Sequence, residues 1–334
     1  MSNATAPLEV RLIGGIVTSL AASIGLLGNV VFIFVSIKNF ASFRKSPFFL
    51  ITWQMNAGDL MVILAQLIVA VPDIFAGYDV FHGSSFPIIM GLLDGIGYMS
   101  NLFFALVLIF NRFLIFCCPP VNGVLFGKRA VLITIAVMWT YIIGRSLYVN
   151  LAGCTKVFDL KGFFFRHSCQ GAAQAARDMN TWAKYESYGF PVLMFVLYIV
   201  VLIKIHFDWR LKVGNTTVHT QTRKAKVERR LLIQSILICG MLQVEAISFV
   251  ILPKIRLQPP GHYYMSFLSG LIVIANSSTH PLVLFVFNSD VRQGLKNLFR
   301  NGTPVQNLSV SISASVKKRS TQTIAQECST RRPP

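Results

Sequence analysis

Charge is scarce in this sequence. Only 13% of the 334 residues are Asp, Glu, Lys or Arg, about half the share usual in a soluble domain, while 54% are hydrophobic. Acidic residues are the rarer sign, 13 against 31 Lys and Arg. Cysteine is sparse too, and no stretch carries metal-ligand spacing, a nucleophile elbow or a phosphate-cradling loop. Those absences argue against an enzyme and leave no cofactor to expect. The few charges sit in short stretches between long apolar runs, the pattern expected when lipid is the solvent. The reading is one membrane domain rather than two soluble ones.

What is present is apolar length. A bilayer core needs about 20 apolar residues per helix, and seven segments meet that, roughly 12–37, 47–71, 86–118, 130–151, 186–209, 230–253 and 263–287. The predicted fold is all-α, a seven-transmembrane helix bundle over 12–300. Residues 1–11 form a short N-terminus. No cleavable signal peptide is visible, so the first span should itself direct insertion. The third run is long enough to tilt or to project past the membrane. Pro47, Pro87 and Pro191 are read as lying near helix starts, where a missing N–H costs little.

Loop charge orients these spans. With the N-terminus outside, the inner side collects about 22 of the 31 basic residues, among them Lys38, Arg44, Lys45, Lys128, Arg129, the 204–230 region and the C-terminal tail. The net charge of +18 thus faces anionic headgroups, and the bilayer rather than nucleic acid is the expected partner. An odd number of spans, without one half repeating the other, weighs against an inverted-repeat transporter. Asn3-Ala4-Thr5 is a glycosylation sequon on the outer side. Residues 288–299 read as an amphipathic helix, with Val291, Leu295, Leu298 and Phe299 toward lipid and Arg292, Lys296 and Arg300 toward headgroups. The Ser/Thr-rich 301–334 segment lacks a hydrophobic pattern and reads as a disordered tail. Its Lys317-Lys318-Arg319-Ser320 run is either a phosphorylation site or simply solvated.

Ionisable groups in a bilayer are costly, so each is a functional candidate. In the third span Asp94, Tyr98, Asn101, Ala105, Leu108 and Arg112 share one helix face. At about 1.5 Å rise per residue, Asp94 stands roughly 27 Å from Arg112. Asp59 lies mid-depth in the second span, and Ser266, Val273, Asn276, Ser277 and His280 share a face of the last. A buried carboxylate needs partners. Asp59, Asn101, Asn276, Ser277 and His280 are candidates to surround a sodium ion or a water network, or to form a packing cluster without an ion. Asp94 is a candidate counter-ion for a ligand amine, a partner of Arg145 or Lys184, or a side chain that snorkels to the outer interface. Glu245 is acidic at membrane depth, one turn from Phe249. Together with Tyr98, Phe190, Tyr263, Tyr264 and Phe267, Phe249 could line an apolar pocket. Each ring alone fits lipid-facing packing equally well. Cys154 and Cys169 share the long outer loop in an oxidising compartment, where a disulfide is expected.

Several markers carry a resemblance. Gly28-Asn29, Asp59, Asn111-Arg112-Phe113, Trp139, Pro191, Pro281 and the run from Phe287 to Arg292 stand in the order of rhodopsin-like receptors, over 25–300. The departures matter as much. Asn111 replaces the usual acid before the inner arginine, and no cysteine ends the outer side of the third span. The sixth span lacks a Trp–Pro pair, and His280-Pro281-Leu282-Val283-Leu284 stands where Asn-Pro-x-x-Tyr would be. With Glu228-Arg229-Arg230 leading a sixth span that contains Gln234, the chain resembles nematode serpentine chemoreceptors, class X most closely.

The resemblance implies a G-protein-coupled chemoreceptor for a small, odorant-like molecule, an amine being one candidate. It is expected in the plasma membrane of sensory cilia, with a heterotrimeric G protein, and arrestin and kinase at the tail, as partners. It gives Arg112 the role of G-protein contact. Glu228 is then either its resting partner or bonded along its own helix to Lys224. Asn111 cannot hold Arg112 as a carboxylate would, which implies ligand-independent activity. A retinal-binding opsin is excluded, since 263–287 contains no lysine. A proton- or ion-coupled transporter using Asp59, Asp94, Glu245 and His280 as a relay is the runner-up. A ligand-gated channel of inverse topology is the third reading.

Overall fold

The structure is a computed structural model and describes residues 6–44, 46–212, 218–255, 257–258 and 261–299. Its helices are α1 (Leu8–Lys38), α2 (Phe40–Phe43), α3 (Pro47–Ala65), α4 (Val71–Ala76), α5 (Phe86–Cys117), α6 (Pro119–Leu125), α7 (Lys128–Leu151), α8 (Gln174–Lys212), α9 (Val218–Ile251), α10 (Gly261–Phe287) and α11 (Ser289–Phe299). A π-helical turn, Gln66–Ala70, joins α3 to α4. Between α7 and α8 runs an antiparallel hairpin, β1 (Thr155–Asp159) with β2 (Phe164–Ser168), paired from Thr155↔Ser168 to Asp159↔Phe164.

The result is a multi-spanning helix bundle. Among the described residues six helical stretches are long and apolar enough to cross a membrane: α1, Pro47–Ala76, α5, α7, Gln174–Phe207 and α10. The remaining expected span, 230–253, falls largely in α9, where the described side chains give an apolar stretch at Ile236–Ile251. Gln243 and Glu245 interrupt it, and the first half of the helix is basic.

Proline placement explains the local geometry. Pro47 and Pro87 occupy first turns of α3 and α5, where no N–H is needed. Pro72 cannot donate to the preceding turn, and the widened π-turn ahead of it absorbs the misfit, with the Val71 N–H reaching back to the Gln66 carbonyl. Pro191 departs from expectation. It lies inside α8, which begins at Gln174, because the helix continues through the polar residues ahead of the apolar run.

At 32 residues α5 is about 48 Å long, more than the roughly 30 Å hydrocarbon core. It is the central column, packed by α3, α7, α8 and β1. Its contact with α3 is close because neither Gly58 nor Gly97 has a side chain; a Cβ on Gly58 would lie 2.8 Å from the Gly97 carbonyl oxygen. By contrast α7 buries only Val131, Ile142, Arg145 and Val149. The Trp139 indole N–H donates to Gln54 of α3 at 2.8 Å and ties that edge helix in. Asn288 caps α11, its side-chain oxygen accepting from the N–H groups of Asp290 (2.9 Å) and Val291 (3.2 Å). The chain divides into one unit ending at Gly294 and a second beginning at Leu295. Asn3 and the 301–334 tail lie outside the described residues, as does the side chain of Glu228.

Candidate functional site

The hairpin closes one end of the bundle. Cys154 and Cys169, just outside its paired strands, are joined by a disulfide. Its turn is tightened by Asp159, whose carbonyl accepts from Phe163 N–H at 2.7 Å and whose carboxylate accepts from Lys161 N–H at 3.1 Å. Phe163 takes the left-handed conformation (φ 51°) that non-glycine residues rarely adopt. Packing holds it there. The ring meets Tyr263 edge-on at 6.2 Å and is buried with Val10, Val69, Ile74 and Phe165. The hairpin backbone also lies against bare glycines. A Cβ on Gly270 of α10 would stand 2.8 Å from the Phe163 carbonyl oxygen, and one on Gly91 of α5 would run into the Lys156 carbonyl.

Beneath the hairpin lies a cavity of about 290 Å³, near the lower limit for small-molecule sites. Asp94 and Tyr98 of α5 and Glu245 and Phe249 of α9 line it, with Lys156 and His167 from the hairpin. Asp94 meets neither Arg145 nor Lys184. Its Oδ2 is 2.6 Å from Lys156 Nζ, while Oδ1 is buried without a hydrogen-bond partner. Arg145 of α7 pairs instead with Glu186 of α8, which also accepts from Tyr141 (2.8 Å) and Trp182 (2.9 Å). Glu245 is buried and accepts from Asn276 Nδ2 at 2.6 Å. His167 borders the cavity from the hairpin, with part of its side chain open to solvent. Desolvation, then Lys156, Lys184 and Arg145, push its pKa down to about 3.

Four of the six rings proposed for the pocket are elsewhere, Tyr263 among them, buried against Phe163. Tyr264 is exposed and Phe267 packs on the cluster around Val10 and Ile74, because Phe163 and Phe165 fill the space between α10 and α1. Nor does Phe190 line the cavity; it packs on Phe103 at 5.1 Å. Phe164 takes up the role of aromatic wall, edge-on to Phe249 at 6.1 Å.

Deeper in the bundle, Asp59 accepts from Asn101 Nδ2 at 2.7 Å and lies 3.2 Å from His280 Nδ1. Asn276 directs its amide to Glu245 instead, and Ser277 enters through its carbonyl, which accepts from Asn29 at 3.0 Å. Asn56 completes this knot by donating to Asn29 Oδ1. A void of about 10 Å³ borders Asp59, Asn101 and His280, and both Asn101 Oδ1 and His280 Nε2 are buried without partners. That is room for one water able to bridge an acceptor and a ring nitrogen. An oxygen-only cation cage is a poorer fit, since both Asp59 oxygens are engaged and an imidazole occupies one side. Among the described residues no three His, Cys, Asp or Glu side chains gather as metal ligands.

At the far end of α5, Asn111 donates to Asn122 of α6 at 3.0 Å. The neighbouring Arg112 stacks on the Phe48 ring at 4.9 Å, with Nε and Nη2 buried and unpartnered. No carboxylate pairs with it among the described residues. One helix thus carries the cavity acid at one end and a cation poor in hydrogen-bond partners at the other.

Sequence reasoning missed Lys156 and the hairpin. The signal was there: Thr155-Lys156-Val157-Phe158-Asp159 and Phe164-Phe165-Arg166-His167-Ser168 are β-rich stretches around a Leu160-Lys161-Gly162 turn. Glu186, where the polar start of α8 meets its apolar run, had no local signal beyond its charge.

The family model of the serpentine type 7TM GPCR chemoreceptor Srx matches residues 20–288. Among solved structures, the crystal structure of squid rhodopsin superposes with a TM-score of 0.71 at 15% identity, covering 89% of this chain and 87% of that one. At that identity the likeness is one of fold. No curated protein matches the sequence.

Proposed function

The chain belongs to the Srx family of serpentine seven-transmembrane G-protein-coupled chemoreceptors, and from that premise we propose that it binds a small molecule under the hairpin and signals through a heterotrimeric G protein. The family is one of receptors, not enzymes. The observation that carries the proposal is the α5 column, with Asp94 and Tyr98 in the cavity wall and a poorly partnered Arg112 at the opposite end.

In this reading α9 is the seventh crossing, its apolar stretch lengthened by Leu231, Leu232 and Ile233. The hairpin end faces outward, where a disulfide persists, and the basic end faces the cytoplasm. Asn3 is then available for glycosylation. The Ser/Thr-rich tail is the proposed site for kinase and arrestin, and sensory cilia the proposed location. Ligand binds the active packing of the helices more tightly and shifts its population. The inner ends of α8 and α9 then part and expose Arg112, which Glu228 restrains in the resting state. The Asp59–His280–Asn101 knot holds a water at the centre of that rearrangement.

Nucleotide exchange on a heterotrimeric G protein, measured in membranes against volatiles, amines and peptides, tests the proposal. Ligand-stimulated exchange is the expected result. Substrate flux in proteoliposomes lacking any G protein, with no exchange, would replace it with a transporter reading, for which Asp59 and His280 in direct contact form part of a relay.

A further inference from the structure

The cavity under the hairpin is short of one charge partner at each of two walls. Its α5 and α9 walls present two carboxylates, Asp94 and Glu245, and one ammonium, Lys156, lies within electrostatic range of both. Lys156 bonds Asp94, and through Oδ2 alone. Among the described residues the partner of Glu245 is a neutral amide, that of Asn276. A buried carboxylate without a cation is expensive, so Glu245 is held as the ion only when a second positive group reaches this wall.

The opposite wall has the reverse imbalance. Lys156, Lys184 and Arg145 all act on His167, which is itself neutral at pH 7. Arg145 is neutralised by Glu186 and Lys156 by Asp94. Lys184 borders the cavity from α8 and has no ion pair among the described residues. Asn180 and Ser187, one turn of α8 to either side, also border the cavity and offer hydrogen bonds.

We infer that the ligand is a small zwitterion of amino-acid type, its ammonium set between Glu245 and Asp94 Oδ1 and its anionic group toward Lys184. The inference rests on the reading that this cavity is the ligand site. A neutral odorant would strip water from the acidic wall, where Glu245 and Asp94 are buried, and repair nothing there. A simple amine would satisfy Glu245 alone, and a simple acid Lys184 alone. The volume of about 290 Å³ suits an amino acid better than a peptide.

The test is direct binding, read as thermal stabilisation of the purified full-length protein in lipid nanodiscs. Probes are alanine, leucine and phenylalanine, each with the amine that lacks its carboxylate and the acid that lacks its amine, and the neutral methyl ester of that acid. At least one amino acid should bind about tenfold or more tightly than its three relatives, as loss of one charge-assisted hydrogen bond implies. Glu245→Gln, which keeps the acceptor for Asn276, should weaken the amino acid by about that factor and leave the acid unaffected. Lys184→Gln, an exposed substitution, should weaken it equally and leave the amine unaffected. Equal binding of any one relative, no stabilisation by any probe, or variants that leave the ranking unchanged would overturn the inference. Nucleotide exchange separates this from the receptor reading. An amino acid that binds without driving exchange would sustain the inference and sink the receptor. Exchange driven by a neutral volatile would do the opposite.

Discussion

Lys156 Nζ lies 2.6 Å from Asp94 Oδ2, so the loop that covers the cavity also supplies the cation for its principal acid. No cysteine stands at the hairpin end of α5 to tie that loop down. An ion pair takes the place of a covalent tether, and unlike a disulfide it can be exchanged for a ligand's charge.

Breaking this pair from one side should be costly. Lys156→Met leaves Asp94 as a buried carboxylate without a bonded cation and should destabilise the protein by about 3–5 kcal/mol. Adding Asp94→Asn should recover most of that loss. Thermal melts of the parent and the two variants decide it, and a Lys156→Met protein as stable as the parent would show the pair to be incidental.

Gly270→Ala should push the hairpin off α10, because its methyl meets the Phe163 carbonyl oxygen at 2.8 Å. A backbone atom in the middle of a packed turn cannot swing aside as a side chain can. Overpacking of about 1–3 kcal/mol is expected, with faster proteolysis of the 155–168 segment as the local readout. Unchanged protection there would refute the placement of the hairpin tip.

Removing Cys154–Cys169 by a double Ser substitution opens a loop of sequence separation 15. The chain-entropy estimate for such a loop is about 3 kcal/mol. The remaining contacts of Phe163 and Lys156 should keep the hairpin seated, so melting temperature falls while ligand affinity is largely retained. Loss of binding at a temperature where the protein is folded would contradict that division.

His167 ties stability to acidity. Folded, it stays neutral down to about pH 3, whereas in the unfolded chain it gains a proton near its ordinary value of 6.5. Between those values the unfolded state binds more protons, so stability is full above about 6.5 and declines as pH falls below it. Melts recorded from pH 7.5 to 5 should show a smaller decline for His167→Gln than for the parent. Parallel curves would remove His167 as a cause.

Asn111 bonds to Asn122 rather than holding Arg112, whose cation rests on Phe48. A carboxylate at that position would be within reach of the guanidinium and restrain it. Asn111→Asp is therefore expected to lower ligand-independent nucleotide exchange several-fold, measured at matched surface expression. Equal basal rates would mean that the resting state is held elsewhere.

Crossing helices could be read from sequence because lipid imposes a local rule. A backbone in hydrocarbon must satisfy its own hydrogen bonds, and about 20 apolar residues are needed for it to do so as a helix. The same rule made Asp59, Asp94 and Glu245 conspicuous. Outside the lipid the rule lapses, so the polar start of α8 and the hairpin went unforeseen.

Residue order alone establishes that the chain is a multi-spanning receptor of this family, which α5 residues share a face, and that the buried acids need partners. Which partner each acid took was decided only in three dimensions. Asp94 chose Lys156 over Arg145 and Lys184 because the hairpin reaches α5 across Gly91, and Asn276 chose Glu245 over Asp59 because of how α10 is turned. Helical periodicity places a side chain on a face, but pairing depends on distances between segments far apart in the chain, and only packing sets those.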